Sequence, residues 1–225
     1  VHVRGLILLH ATDPAPWPAE RFASALASLP AFMREEVTAL RRWQDRQARI
    51  LGRLLLRAGL TRLGLVQAAG LQCWARESSG RPRLAGCAVD FSISHTNGLT
   101  VCALHPGRRV GVDVERLAPL DLDELRLAFG AEEWGTIQAA PEPVLALLRL
   151  WTAKEAALKA DGRGLAIEPA EVDGRGEVVE VRGAEWRVSF PELAPGWVCA
   201  LAMAGTPAAP EVVPIDPVEL MPQIV

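Results

Sequence analysis

The order of strand and helix signals predicts a mixed helix-and-sheet fold in two similar lobes. A strand, helices and further strands fill residues 1–105, and helices followed by strands recur across 106–205 after one short strand. The turn His105-Pro106-Gly107 falls between the two series, so the lobes join near His105–Arg109. The chain's 225 residues suffice for one or two cores. Its 50% apolar and 23% charged content is ordinary globular composition. No internal sequence repeat is visible, so the two-lobe expectation rests on element order.

Val1-His2-Val3-Arg4 followed by Gly5 to Leu9 reads as the first strand, its apolar run being too short for a signal peptide. Thr12–Pro18 is a proline-bearing loop, and Glu20–Leu29 can form a short helix that Pro30 ends. A longer helix is expected from about Glu35 to Leu60. At 100° per residue Val37, Leu40, Leu51, Leu55 and Ala58 share one face, with Arg42, Arg46, Arg49, Arg53 and Arg57 opposite. Leu71–Arg76 looks like a strand and Ser78-Ser79-Gly80 like a turn. Val89–Ser94, Leu99–Leu104 and Val110–Glu115 follow as strands. Helix returns over Leu122–Phe129 and Pro143–Ala160, with Pro143 at the start and Gly162 just past the end. Glu177–Val181, Trp186–Phe190 and Val198–Met203 read as strands, and the proline-rich residues 206–225 as a tail that wraps the surface or stays mobile.

Composition narrows the function classes. A net charge of −3 argues against a nucleic-acid binder that relies on bulk charge. Cys73, Cys87, Cys102 and Cys199 form no CxxC pair and have no histidine at zinc-ligand spacing, so reduced thiols in a cytoplasmic protein are expected. No stretch approaches the roughly 18 apolar residues of a membrane span.

Three elements carry candidate chemistry. In Val110-Gly111-Val112-Asp113-Val114-Glu115 alternation puts Asp113 and Glu115 on one strand face, about 7 Å apart; a solvated strand face gives the same pattern. In Trp151-Thr152-Ala153-Lys154-Glu155-Ala156-Ala157-Leu158-Lys159, Glu155 falls within the apolar stripe of Val144, Leu148, Trp151 and Leu158, with Lys159 at its edge. A desolvated carboxylate is protonated or meets a cation, whereas a plain surface Glu–Lys pair belongs on the polar side. If Asp113, Glu115 and Glu155 lie within about 4 Å, each pair repels by roughly 4 kcal/mol at an effective dielectric near 20. A divalent cation removes that cost, and an all-oxygen site beside phosphate suits Mg²⁺. Lys159 then holds one phosphate oxygen, while Arg81 and the cationic helix hold a second phosphate; the arginine stripe also reads as a solvated face. Ser94 and His95 point to opposite strand faces, so they make no nucleophile pair, and no G-x-S-x-G elbow exists. A histidine at a strand end is either structural or, beside phosphate, a donor.

Gly80-Arg81-Pro82, Phe91-Ser92-Ile93-Ser94-His95, Gly111-Val112-Asp113-Val114-Glu115 and Trp151-x-x-Lys154-Glu155-Ala156-x-x-Lys159 with Gly162-x-Gly164-Leu165 occur in that order over roughly residues 46–165. This series resembles the Sfp-type 4′-phosphopantetheinyl transferases. The resemblance implies a pseudo-dimeric α+β fold with coenzyme A in the cleft between the lobes. It further implies Mg²⁺-dependent transfer of phosphopantetheine to a serine of an apo acyl or peptidyl carrier protein, a domain of a fatty-acid, polyketide or peptide synthase, with release of adenosine 3′,5′-bisphosphate. Asp113, Glu115 and Glu155 are similar to the metal ligands, with Glu155 also the base. Lys159 and His95 are similar to the catalytic phosphate-holding residues. Arg46, Arg53, Gly80, Arg81, Pro82 and Ser94, together with His95, Asp113 and Lys159, match coenzyme A-binding positions. Thr96 stands where the family often has serine, and Glu35 and Glu36 stand where some members have basic residues. A monomer without nucleic-acid or membrane partners is expected, since one chain supplies both lobes. The competing readings are another Mg²⁺-dependent phosphodiester-cleaving enzyme and a non-catalytic carrier-protein-binding homologue.

Overall fold

The computed structural model describes residues 5–163, 167–206 and 209–221. The expected strand start at Val1–Arg4 and the motif residues Gly164 and Leu165 lie outside them. Strand β1 (Ile7–Thr12) is followed by α1 (Ala19–Ala27), α2 (Ala31–Thr38) and α3 (Trp43–Arg62). A short hairpin, β2 (Trp74–Arg76) and β3 (Pro82–Leu84), leads to β4 (Val89–Thr96), β5 (Leu99–Pro106) and β6 (Val110–Arg116). Helices α4 (Ala131–Ala139) and α5 (Pro143–Asp161) precede β7 (Val178–Val181), β8 (Ala184–Ser189), β9 (Trp197–Met203) and β10 (Glu211–Pro214).

Two four-stranded sheets result, one ordered β10-β1-β5-β4 and the other β6-β9-β8-β7. This is an α+β fold. All pairings are antiparallel except β1 with β10. Alternation along the strands divides their side chains between two faces. Ile7, Leu9, Cys102 and Leu104 of the first sheet pack with Ile50, Leu51 and Leu55 of α3. Leu8, Val101 and Ala103 point the other way and meet Val112, Val114 and Leu201 of the second sheet. On that sheet's far face Ala153, Ala156, Ala157 and Ala160 of α5 pack with Val179, Val188 and Ala200.

Four sequence expectations change. The single helix over Glu35–Leu60 is two helices, because Arg42 adopts an extended backbone (φ −82, ψ 138). Arg46 Nε donates to the Leu40 carbonyl at 2.6 Å inside that corner, and no glycine or proline announces the break. The arginine row is not one solvated face either, since Arg53 is buried. Leu122–Ala128 is a 3₁₀ rather than an α-helical segment, and α4 follows it. The Gly130 amide donates to Glu133 Oε2 at α4's first turn. Finally, the segment expected to wrap the surface or move supplies β10. Its register, Ile7 opposite Glu211 to His10 opposite Pro214, gives the outer edge of β1 a backbone partner.

Candidate active site

At one side of the packed interface between the two sheets, the edge strands β4 and β6 run beside each other without a shared backbone ladder. Alternate side chains of β4 take its place. The Val110 amide donates to Asp90 Oδ2 at 2.8 Å and the Val112 amide to Ser92 Oγ at 3.1 Å. Further along, Ser94 Oγ donates to Asp113 Oδ1 at 2.7 Å and Thr96 Oγ1 to Glu115 Oε2 at 3.2 Å. Helix α5 crosses this seam because Gly111 lets it lie close: a Cβ there would stand 2.0 Å from the Ala156 carbonyl oxygen. Lys159 Nζ, in the last turn of α5, therefore reaches Asp113 Oδ1 at 2.5 Å and Ser94 Oγ at 3.0 Å.

Asp113 is 4% exposed, and its Oδ2 is buried without a hydrogen-bond partner. Burial raises the Glu155 carboxyl above its ordinary pKa; Lys159 opposes the shift and Asp113 adds to it. Burial also raises Glu115, with Asp113 adding and hydrogen bonds from Thr96 and Trp151 opposing. This cluster is short of positive charge, and its orphaned Asp113 oxygen suits an additional cation. Among the described residues, however, no three His, Cys, Asp or Glu side chains already form an enclosing set. The group in contact with Asp113 is instead the Lys159 ammonium. His95, exposed at the mouth, is held below 6.5 by the surrounding protein first and by Arg49 and Lys159 next.

A cleft of about 590 Å³ opens beside this seam, with Glu155 and Lys159 on one side and Arg49, Arg53 and Trp74 on the other. The Arg53 guanidinium lies 4.0 Å over the Trp74 ring and 3.5 Å from Glu36, and its Nε is buried without a partner. Burial lowers its pKa to about 10, the Arg49 charge adding to the shift and Glu36 opposing it. Glu36 also pairs with Arg76 at 3.1 Å. The cleft joins an aromatic-backed cationic wall to an acidic wall with an ammonium, a combination suited to a phosphorylated ligand with a planar ring.

Of the residues singled out in the sequence, Arg53, Gly80, Arg81, Pro82, His95, Glu155 and Lys159 line this cleft. Ser94 and Asp113 back Lys159, and Glu115 sits beside Thr96. Arg46 is not among the lining residues and serves the α2–α3 corner instead. Arg81 lines the wall, but its donors are committed to Asp90, the Lys159 carbonyl and the Val110 carbonyl. Trp74, Arg76 and, as a cleft residue, Arg49 were not singled out. The sequence does distinguish two of its cations: of 24 lysines and arginines only Lys154 and Lys159 are lysines. Lys154 is fully buried, held by Glu133 Oε2 at 2.5 Å and by the Ala128 and Pro169 carbonyls at 2.9 and 3.0 Å. Pro169 is itself in the cleft wall.

Residues 109–200, which carry β6, α4, α5, β7, β8 and the first part of β9, match the family model of the 4′-phosphopantetheinyl transferase superfamily. That match covers less than half of the chain, which over these residues is similar to the superfamily. The chain is 31% identical over 148 residues to the 4′-phosphopantetheinyl transferase HetI of Nostoc sp., covering 57% of this chain and 59% of HetI. A phosphopantetheinyl transferase of Thraustochytrium sp. is 32% identical over 169 residues, 67% of this chain and 58% of that protein. The 4′-phosphopantetheinyl transferase Sfp of Bacillus subtilis is 24% identical over 151 residues, 66% and 65% of the two chains. The matched stretch thus spans less than two thirds of each of these relatives.

Proposed function

We propose that this protein transfers the 4′-phosphopantetheine arm of coenzyme A to a serine of an apo acyl or peptidyl carrier protein and releases adenosine 3′,5′-bisphosphate. The observation that carries the reading is the single cleft that sets Arg49, Arg53 and Trp74 opposite Glu155 and Lys159. The cationic wall suits the nucleotide end, with Trp74 and the Arg53 plane available to an adenine ring and Arg49 and Arg76 to phosphate oxygens. In this reading Lys159 and His95 hold the pyrophosphate.

In this reading Glu155 accepts the proton of the carrier serine hydroxyl. The serine oxygen bonds to the phosphorus that bears pantetheine, and the bridging P–O bond breaks toward the adenosine bisphosphate. A carboxylate made more basic by burial is suited to that proton transfer. Lys159 supports the charge that collects on the leaving phosphate, while Ser94 and Asp113 hold its ammonium in place. Asp113, Glu115 and Glu155 would hold Mg²⁺, which supplies charge neutralisation at the pyrophosphate.

Incubation with coenzyme A, Mg²⁺ and a panel of apo carrier proteins is expected to add one phosphopantetheine group to a carrier, read by intact mass. Cleavage of coenzyme A to free phosphopantetheine, with every carrier left unmodified, would overturn the reading in favour of a hydrolase. Carriers and coenzyme A both unchanged would overturn it in favour of a binding module.

A further inference from the structure

A helix ends with four carbonyls that lack intrahelical donors, and at the end of α5 each of these has an identifiable partner. The Leu158 carbonyl accepts from the Gly162 amide at 2.9 Å. The Lys159 carbonyl accepts from Arg81 Nε at 2.8 Å. The Ala160 and Asp161 carbonyls accept from Arg109 Nη1 at 3.4 and 3.3 Å. Three of the four are thus capped by guanidinium groups from outside the helix, where cations also favour the helix dipole.

Both arginines are held from behind by carboxylates. Asp90 on β4 grips Arg81 with two 2.7 Å bonds. Glu77, in the β2–β3 hairpin, grips Arg109 Nη2 with two 2.8 Å bonds. Gly162 admits them: its φ is +84, and a Cβ there would stand 2.7 Å from both Arg109 Nη1 and Arg81 Cδ. The Lys159 side chain is 31% exposed, so packing alone does not fix it. Its reach to Asp113 and Ser94 depends on where the last turn of α5 is anchored.

We propose that Arg81 and Arg109 are positioning residues for Lys159, holding the end of α5 so that the ammonium stays on Asp113 and Ser94. The kinetic consequence rests on the transfer reaction proposed above; the placement itself does not. Because the chain has only two lysines, selective ¹⁵N-lysine labelling yields two side-chain ammonium signals, which Lys159→Met assigns. The wild-type chain is expected to show a Lys159 signal slowed in exchange by its two partners. Arg109→Gln and Gly162→Ala should shift or erase that signal and leave the Lys154 signal unmoved, with the thermal midpoint of Arg109→Gln near wild type. An unchanged Lys159 signal in Arg109→Gln, or none in the wild type, would overturn the proposal. With coenzyme A and a carrier protein, Arg109→Gln should lower kcat about tenfold, the scale expected of a misplaced group. The same change in a Lys159→Met background should lower it no further, and an equal loss in both backgrounds would overturn the proposal. A wild-type chain that transfers nothing refutes the transfer reading alone, and the ammonium signals still decide the placement.

Discussion

The two sheets each carry one long helix on the face turned away from the other sheet, and they reach close packing in opposite ways. Under α3 the small residues are on the helix. A Cβ at Gly59 would lie 2.5 Å from Leu104 Cδ1, and one at Gly52 would lie 2.7 Å from Ile93 Cγ2, both side-chain atoms. Under α5 the small residue is on the strand, and a Cβ at Gly111 would meet the Ala156 carbonyl oxygen at 2.0 Å and the Ala160 amide nitrogen at 2.5 Å. The first contact can yield by side-chain rearrangement; the second can yield only by moving backbone. The wall with the looser support bears Arg49 and Arg53, long side chains that adapt to a ligand. The wall with the stiffer support bears Glu155 and Lys159, where small displacements weigh most on a reaction.

Three experiments break or sharpen this contrast. The largest effect is expected from Glu155→Gln, which should lower kcat by about 10³-fold, the scale of a lost general base. The thermal midpoint should stay at or above that of the wild type, because the substitution removes a half-buried charge. Near-full turnover would remove Glu155 from its role. Next, Gly111→Ala should destabilise by about 3 kcal/mol or more and Gly59→Ala by only about 1 kcal/mol, compared in urea unfolding; equal losses would erase the distinction between the supports.

The smallest effect concerns acid stability in the first sheet. His10 is buried on β1 with Nδ1 unpartnered, and burial holds it below 6.5. As pH falls through 6.5 the unfolded chain takes up a proton that the folded chain refuses, so stability declines from there toward the folded pKa. The thermal midpoint should therefore drop between about pH 7.5 and about pH 5.5, and His10→Gln should reduce that drop. An identical drop in the variant would refute the assignment.

The elements most legible in the sequence were those whose period is set by burial on one sheet face. The alternation of Phe91 and Ile93 with Ser92 and Ser94, and that of Val112 and Val114 with Asp113, reported both strand and facing. The meeting of Ser94 with Asp113 across the seam is visible only in the fold, where Glu155, Lys159 and His95 of separate motifs also line one cleft. Features decided by distant contacts were not legible. The corner at Arg42 has no local breaker, and its carbonyl at Leu40 is satisfied by Arg46 from the next helix. The pairing of β10 with β1 joins residues some two hundred positions apart. Arg81 and Arg53 read alike as basic residues, yet Arg81 is committed to Asp90 and two carbonyls whereas Arg53 keeps an unpartnered nitrogen. Which arginine faces a ligand depends on the acids around it, and those acids lie elsewhere in the chain.

The side-chain seam between β4 and β6 has a consequence for how this architecture can diverge. Strands joined by main-chain ladders sit at one fixed separation, about 4.8 Å, that mutation cannot retune. Here Asp90, Ser92, Ser94 and Thr96 act as four separate stitches of unequal length. Exchanging one for a longer or shorter polar residue resets the gap at that point alone. The spacing of the seam is therefore heritable residue by residue, and a lineage can retune it without redrawing either sheet.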